Sequence, residues 1–448
     1  MPDRCLADWL TLLESRHPSE IELGLGRVRE VWERLQVSTF TSSTLINSTF
    51  INGTVTNSTG TNSSQSKPSI AITVAGTNGK GSCIASMQAL LLQHGYSVGM
   101  FTSPHFLTYN ERICLAGKPV SDAIIVAAFE EIEAVCGDTS LTYFEFGTLA
   151  ALLVFRDASP DVMLLEVGLG GRLDAINIID ADVAVVTSIA LDHQDWLGDT
   201  REAIAAEKIG IARGNRPLLI GEQDYPQGFE QMIAATGANA LYMGRDFSYS
   251  DEPLFSAKLI SSCGPIQFDQ LSASGLLPVN KTLALQALLS AGITLNEQDS
   301  RKALDAVRLT GRHQTLSYQG VEVILDVAHN PAAAGALAQN LPVIEGRTLA
   351  IASVLEDKDW AGIVAAMSQS VDEWFIAQIS DTARASKGQT LLEVLYNADQ
   401  SGQLCESIEQ ALLRALKQAT ATDRIVVFGS FHTVAAVLKI ILAEVSSE

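Results

Sequence analysis

Short apolar, β-branched runs alternate along this chain with stretches whose apolar residues recur every three or four positions. The runs fall at residues 70–74, 98–101, 161–167, 183–189 and 217–220, and again at 321–327, 348–352, 374–377 and 424–428. Runs of this length, apolar on both sides, predict strands buried on both faces, and the helical stretches between them predict parallel pairing. The helix after the first run carries Ile84, Met87, Leu90 and Leu91 on one face. Two helices precede it, marked by Leu6, Leu10 and Leu13 and then by Val28, Val31 and Leu35. Glu22, Leu23, Gly24 and Leu25 break them apart. The alternation restarts late, which predicts two α/β domains, 1–310 and a smaller 311–448, parted near Thr310, Gly311 and Arg312.

Residues 38–66 stand outside this pattern. They are rich in Ser, Thr, Asn and Gly and hold no charge, so they bury too little apolar surface to offset ordering. The sequence predicts a flexible surface insertion there. Its N-x-[ST] triplets at Asn47, Asn52, Asn57 and Asn62 read as products of composition, because no secretion signal opens the chain.

The 448 residues are 47% hydrophobic, enough for full cores, and carry a formal net charge of −21. Such a chain repels polyphosphate backbones at long range, which argues against nucleic acid as a partner. The six cysteines are scattered singly, with no zinc spacing, and no apolar run reaches the roughly 18–20 residues of a membrane span. The expectation is a cytoplasmic protein.

The strongest local chemistry lies between the first strand and its helix, at Gly76, Thr77, Asn78, Gly79, Lys80, Gly81 and Ser82. Glycines let the backbone turn its N–H groups toward an anion, the helix N-terminus adds its dipole, and Lys80 adds charge. A hydroxyl at Ser82 can reach Mg²⁺. The plainer alternative is a tight strand–helix turn with an incidental lysine. Glu166, closing a buried strand before a glycine-rich turn, and His193, after the next strand, sit where open α/β sheets put ligands. With retained waters they suit Mg²⁺ or Mn²⁺. His329 and Ser430 follow late strands, where they can position an amino acid or phosphate.

Several blocks together resemble the folylpolyglutamate synthase family of the Mur ligase superfamily. They are the loop at 76–82, Thr102-Ser103-Pro104-His105, Thr142-Tyr143-Phe144-Glu145, the segment from Glu166 to Asp174, Asp192-His193, Glu207-Lys208, Gly311-Arg312, the segment from Asp326 to Pro331, and Gly429-Ser430-Phe431-His432-Thr433. The resemblance spans nearly all the chain outside 38–66 and looks nearest to the bacterial bifunctional members. It implies an N-terminal P-loop-type ATPase domain with a mostly parallel sheet and a smaller Rossmann-like C-terminal domain that handles glutamate. It implies a monomeric ligase that uses ATP to activate a carboxylate as an acyl phosphate. L-glutamate would then be joined to 7,8-dihydropteroate and to reduced folates.

By resemblance Ser82, Ser103, Glu166, His193 and a carbamylated Lys208 hold metal. Carbamylation makes a cation into an anion, fit to sit near metal ions. Asn280 is assigned to adenine, and Arg312 and Asp326 to ATP. Lys80, Lys208, His193, Asp326, His329 and Ser430 are the expected catalytic set. Glu22, Leu23, Gly24, Leu25, Thr142, Tyr143, Phe144, Glu145, Leu173, Asp174 and Ala175 match the segments that bind dihydropteroate. One departure is Ile176, where the family usually has threonine. Alternatives are a folylpolyglutamate synthase alone, and a Mur-type ligase acting on another carboxylate. Cell-wall Mur ligases carry a whole substrate domain before the phosphate loop, and only 75 residues precede Gly76 here. A nucleotide-binding scaffold without activity would have no use for Glu166, His193 and Lys208.

Overall fold

The computed structural model describes residues 4–19, 21–37, 69–252, 254–380 and 382–445. The insertion expected at 38–66 lies outside them. The chain divides into two compact units, the first Met1–Ile189, Glu202–Ser272 and Pro278–Asp305, the second Ala190–Arg201, Ala273–Leu277 and Ala306–Glu448. The units interleave in sequence.

The first unit is built on an eight-stranded sheet in the order Lys118–Pro119, Ile113–Leu115, Val98–Phe101, Val162–Glu166, Ile70–Ala75, Val183–Val186, Pro217–Ile220 and Asn239–Tyr242. All pairs from Val98–Phe101 onward are parallel, and the first two strands add an antiparallel edge. In chain order the helix Lys80–Gln93 follows the first strand, Ile70–Ala75, and the helix Tyr143–Ala158 precedes the fifth, Val162–Glu166. Their buried faces, with Ile84, Met87, Leu149 and Leu153, explain the apolar spacing in the sequence. The strand Ile70–Ala75 has Val162–Glu166 on one side and Val183–Val186 on the other. Strand order reverses there, which opens a crevice at the carboxyl ends.

A smaller antiparallel sheet of Ser248–Tyr249, Leu254–Ser261 and Gly264–Ser272 was not foreseen. Its long hairpin turns at Ser262 and Cys263, and its strands are only half apolar.

The second unit holds a six-stranded sheet in the order Gln314–Tyr318, Val321–Leu325, Arg424–Phe428, Thr348–Ala352, Glu373–Ala377 and Gly402–Cys405, parallel except for its first pair. Trp374, Phe428, Met367 and Leu395 fill one of its core faces. Two predicted strands stop early for reasons that bear on the site. Val183–Val186 ends because Thr187 and Ser188 turn to brace the glycine loop, and Val321–Leu325 ends because Asp326 turns to cap neighbouring N–H groups.

Candidate active site

The loop at 76–82 sits at the carboxyl end of Ile70–Ala75. A Cβ on Gly76 would come 1.8 Å from Thr187 Oγ1, so only glycine fits. Thr187 Oγ1 donates to Asn78 O at 2.6 Å, and Ser188 Oγ accepts from Asn78 N at 2.9 Å. Thr77 N donates to Ser188 O at 2.9 Å. The loop's outer edge is thereby tied down. Gly79 caps the helix Lys80–Gln93 with φ +87°, and that helix start leaves its first-turn N–H groups without intrahelical acceptors, as an anion site requires. Lys80 Nζ donates to Gly76 O at 2.9 Å, holding its charge over the loop. Buried Asn280 lies against Gly79, where an added Cβ would meet its Oδ1 at 2.5 Å.

Glu166 is buried at the end of its strand and accepts from Ser103 N at 3.1 Å. The glycine turn that follows packs on the helix Arg201–Ile209. Arg172 N donates to Glu207 O at 2.8 Å, and a Cβ on Gly171 would meet Lys208 O at 3.0 Å. Lys208 itself is 3% exposed. Ser82 is buried and Ser103 partly so. Ser82, Ser103, Glu166 and Lys208 therefore belong to one unit, on loops and helix turns around the same sheet end.

The three segments expected to hold the acyl substrate converge. Gly24 N donates to Leu173 O at 3.1 Å, joining the first to the third. Arg27 joins the first to the second. It pairs with the Glu22 carboxylate, donates to Glu22 O at 2.9 Å and donates to Glu145 Oε1 at 3.0 Å. Thr142 and Glu145 also form a reciprocal cap on the helix Tyr143–Ala158, with Glu145 Oε2 accepting from Thr142 N at 2.8 Å and Thr142 Oγ1 from Glu145 N at 3.2 Å. Phe144 packs on Phe101 and closes over Gly168, leaving no room there for a side chain. Tyr143 meets Tyr109 edge-on at 5.7 Å. Leu23, Leu25 and Leu173 are partly buried and Ala175 is buried.

Asp174 is buried, which pushes its carboxyl up to about 6 against the pull of N–H groups of Leu169, Ile176 and Gly168 and the charge of Lys80. Ile176 is fully buried, and its N–H still donates to Asp174 Oδ1 at 3.0 Å. Isoleucine at this departure thus joins the core, and the main-chain contact survives the lost hydroxyl.

In the second unit Asp192 is the centre of a buried polar cluster. Its carboxylate takes Lys358 Nζ at 2.6 Å, His329 Nε2 at 3.3 Å and Asn330 Nδ2 at 3.3 Å. Lys358 also reaches Asp357 at 3.0 Å, and Arg384 holds the other Asp357 oxygen at 3.1 Å. Burial alone would raise the Asp192 carboxyl, but His329, His193 and Lys358 hold it well below the usual range. His193 adopts φ +52°, with its Nδ1 3.9 Å from Asp357 Oδ2. Burial depresses it to about 4, helped by Lys358 and His329 and opposed by Asp192 and Asp357, so at neutral pH it is an uncharged imidazole with a lone pair to offer. Asp192, His193 and Asp357 offer ligand atoms within 4.8 Å of one another, yet the Lys358 ammonium already bridges the two acids.

Asp326 accepts from His313 N and Ala328 N, and burial raises its carboxyl against the pull of Arg312. Arg312 lies over the Phe431 ring at 5.2 Å. Ser430 Oγ caps the last helix through Thr433 N at 3.0 Å and bonds Thr433 Oγ1 at 2.7 Å.

Sequence reasoning missed Thr187, Ser188, Arg27, Asp357, Lys358, Arg384 and Phe431. Only Phe431 lay inside a singled-out block. Thr187 and Ser188 were absorbed into a strand, and the others look like ordinary surface charges until the fold pairs them.

Residues 74–258 match the Mur ligase middle domain and residues 311–431 the Mur ligase glutamate ligase domain. The chain is 40% identical over 439 residues to the dihydrofolate synthase/folylpolyglutamate synthase of Escherichia coli strain K12, covering 97% of this chain and 95% of that one. The structure of Escherichia coli FolC in complex with DHPP and ADP superposes with a TM-score of 0.87 at 39% identity, over 99% of this chain and 100% of that one. A bifunctional folylpolyglutamate synthase/dihydrofolate synthase with Mn, AMPPNP and L-glutamate bound gives 0.85 at 40% identity, over 98% of each chain. With both Mur ligase domains in order and identity at this level along the whole fold, the chain belongs to the dihydrofolate synthase/folylpolyglutamate synthase family of the Mur ligases.

Proposed function

We propose that the protein is an ATP-dependent ligase that joins L-glutamate to 7,8-dihydropteroate and also extends reduced folates. The acid's carboxylate oxygen attacks the γ-phosphorus of ATP and ADP leaves. The glutamate amine then attacks the acyl carbon of the acyl phosphate and inorganic phosphate departs. The observation that carries this reading is the convergence of the 22–25, 142–145 and 173–175 segments in the unit that holds the Lys80 loop. The relatives named above support it through their names and bound molecules.

In this reading residues 1–310 handle nucleotide and pterin, and 311–448 handle glutamate. Thr77, Asn78, Gly79, Lys80, Gly81 and Ser82 cradle phosphates, Asn280 meets adenine, and Arg312 and Asp326 contact ATP. His329 and Ser430 help place glutamate or phosphate. The first unit's donor set fits Mg²⁺ or Mn²⁺: hydroxyls of Ser82 and Ser103, the Glu166 carboxylate and a carbamate on Lys208. Such an ion neutralises charge on the transferring phosphoryl group. The protein acts as a monomer in the cytoplasm; no helix among the described residues is long and apolar enough to cross a membrane.

The test is ADP release by purified protein with Mg²⁺. Release that requires both dihydropteroate and glutamate, with dihydrofolate identified by mass, is the expected result. Extension of tetrahydrofolate without any dihydrofolate would remove the first activity, and ADP release independent of both acids would remove the ligase.

A further inference from the structure

Arg112 ends the 3-10 turn Tyr109–Arg112 just before the strand Ile113–Leu115, and its carbonyl accepts from Thr102 N at 3.0 Å, one residue before Ser103. Its side chain is partly buried and unusually prepared. Nε donates to His105 Nδ1 at 2.9 Å. The guanidinium lies 5.5 Å from the centroids of both Tyr109 and Tyr143, whose rings stand at 89° to each other. Cation–π contact with two rings and the bond to His105 fix the fork while using only one of its three nitrogens.

No carboxylate among the described residues pairs with it, in a chain with 51 acidic side chains. The adjacent acid is engaged elsewhere, since Glu111 accepts from the N–H groups of Phe106, Leu107 and Thr108 at 2.7–2.8 Å. Arg16, Arg27 and Arg156, elsewhere in the same unit, each grip a glutamate. Arg112 alone of these four presents a fixed terminal fork with no protein anion on it, beside Tyr143 of the acyl-substrate segments and next to the Ser103–Glu166 strand ends. A planar bidentate fork of that kind matches a carboxylate.

We infer that Arg112 binds a carboxylate of the acyl substrate, a contact no sequence motif assigned. This rests on the ligase reading above, in which that substrate is a pterin bearing an aryl or glutamyl carboxylate. Dihydropteroate has one carboxylate, the reacting one, and tetrahydrofolate has two. The same fork can hold the reacting group or the neighbouring α-carboxylate.

The experiment is titration of wild type, Arg112→Gln and Arg112→Lys with dihydropteroate, with tetrahydrofolate, and with 6-hydroxymethyl-7,8-dihydropterin, which has no carboxylate. Losing a charge-assisted pair should weaken acid binding about 10- to 100-fold in Arg112→Gln. Arg112→Lys should recover part of it, and the carboxylate-free pterin should bind all three proteins alike. Weakening of both acids places the reacting carboxylate on the fork, and weakening of tetrahydrofolate alone places the α-carboxylate there. Unchanged binding of both acids, or equal loss for the carboxylate-free pterin, overturns the inference. Wild type that binds and consumes no pterin acid overturns the ligase reading first, so the two failures are told apart in the wild-type arm.

Discussion

Replacing Lys358 by methionine keeps most of the stem and removes the charge between Asp192 and Asp357. Both partners are well shielded, with side chains 5% exposed for Lys358 and 6% for Asp192, so solvent does little to screen the loss. Removing one partner of a buried ion pair costs about 3–5 kcal/mol, because it strands the other charge. Arg384 still holds Asp357 and His329 still touches Asp192, which puts the expected cost near the low end, about 3 kcal/mol. With a urea slope of about 2 kcal/mol/M, the midpoint should fall by about 1.5 M. The Trp360–Trp374 pair, edge-on at 5.6 Å in the core of the same unit, supplies the fluorescence signal. The sign with pH follows from Asp192. Its depressed carboxyl contributes stability that is fully present above the unfolded value of about 3.9 and lost as pH falls through the lower folded one. Lys358→Met removes one of the charges that lower it, so the variant's acid limb should move up toward pH 4. Adding Asp192→Asn should recover about half of the loss, since the stranded charge is gone while His193 N keeps an acceptor. A single variant within about 0.5 kcal/mol of wild type, or a double variant no better than the single, would refute this account of the cluster.

Lys80→Ala should keep the fold and lower turnover by about 10²–10³-fold or more, checked by ADP release beside a circular dichroism spectrum. Arg27→Ala should raise KM for dihydropteroate about 10-fold while leaving KM for ATP in place, because it frees the 22–25 segment from Glu145 without touching the glycine loop. Lys208 in active, metal-loaded enzyme should carry the added mass of one CO₂ by intact-mass measurement; an unmodified residue there would refute the carbamate.

Strands buried on both faces were legible because nothing but an apolar run survives there. The strands Val98–Phe101, Pro217–Ile220, Thr348–Ala352 and Arg424–Phe428 begin and end where the hydrophobic runs do. The hairpin Leu254–Ser261 and Gly264–Ser272 was not legible, because Lys258, Gln267 and Asp269 dilute its alternation. The glycine loop was legible because its chemistry is local to seven residues. The Asp192 cluster was not, because Lys358 meets Asp192 from 166 residues away and nothing in the local spacing of either announces the pair.

Charge shows the same division between what composition states and what placement decides. A net −21 describes the long-range field, and at physiological ionic strength that field fades over about 8 Å. Binding a triphosphate or a carboxylate depends on groups nearer than that. Lys80 is held over the phosphate loop by Gly76 O, and Arg112 is held open by two tyrosines and a histidine. Arg27 and Lys358, equal to them in formal charge, are consumed by carboxylates of the chain and serve to fix loops. Counting cations would treat all four alike. Their partners separate Arg27 and Lys358, which hold the protein together, from Arg112, whose terminal fork meets no carboxylate among the described residues, and only the fold supplies the partners.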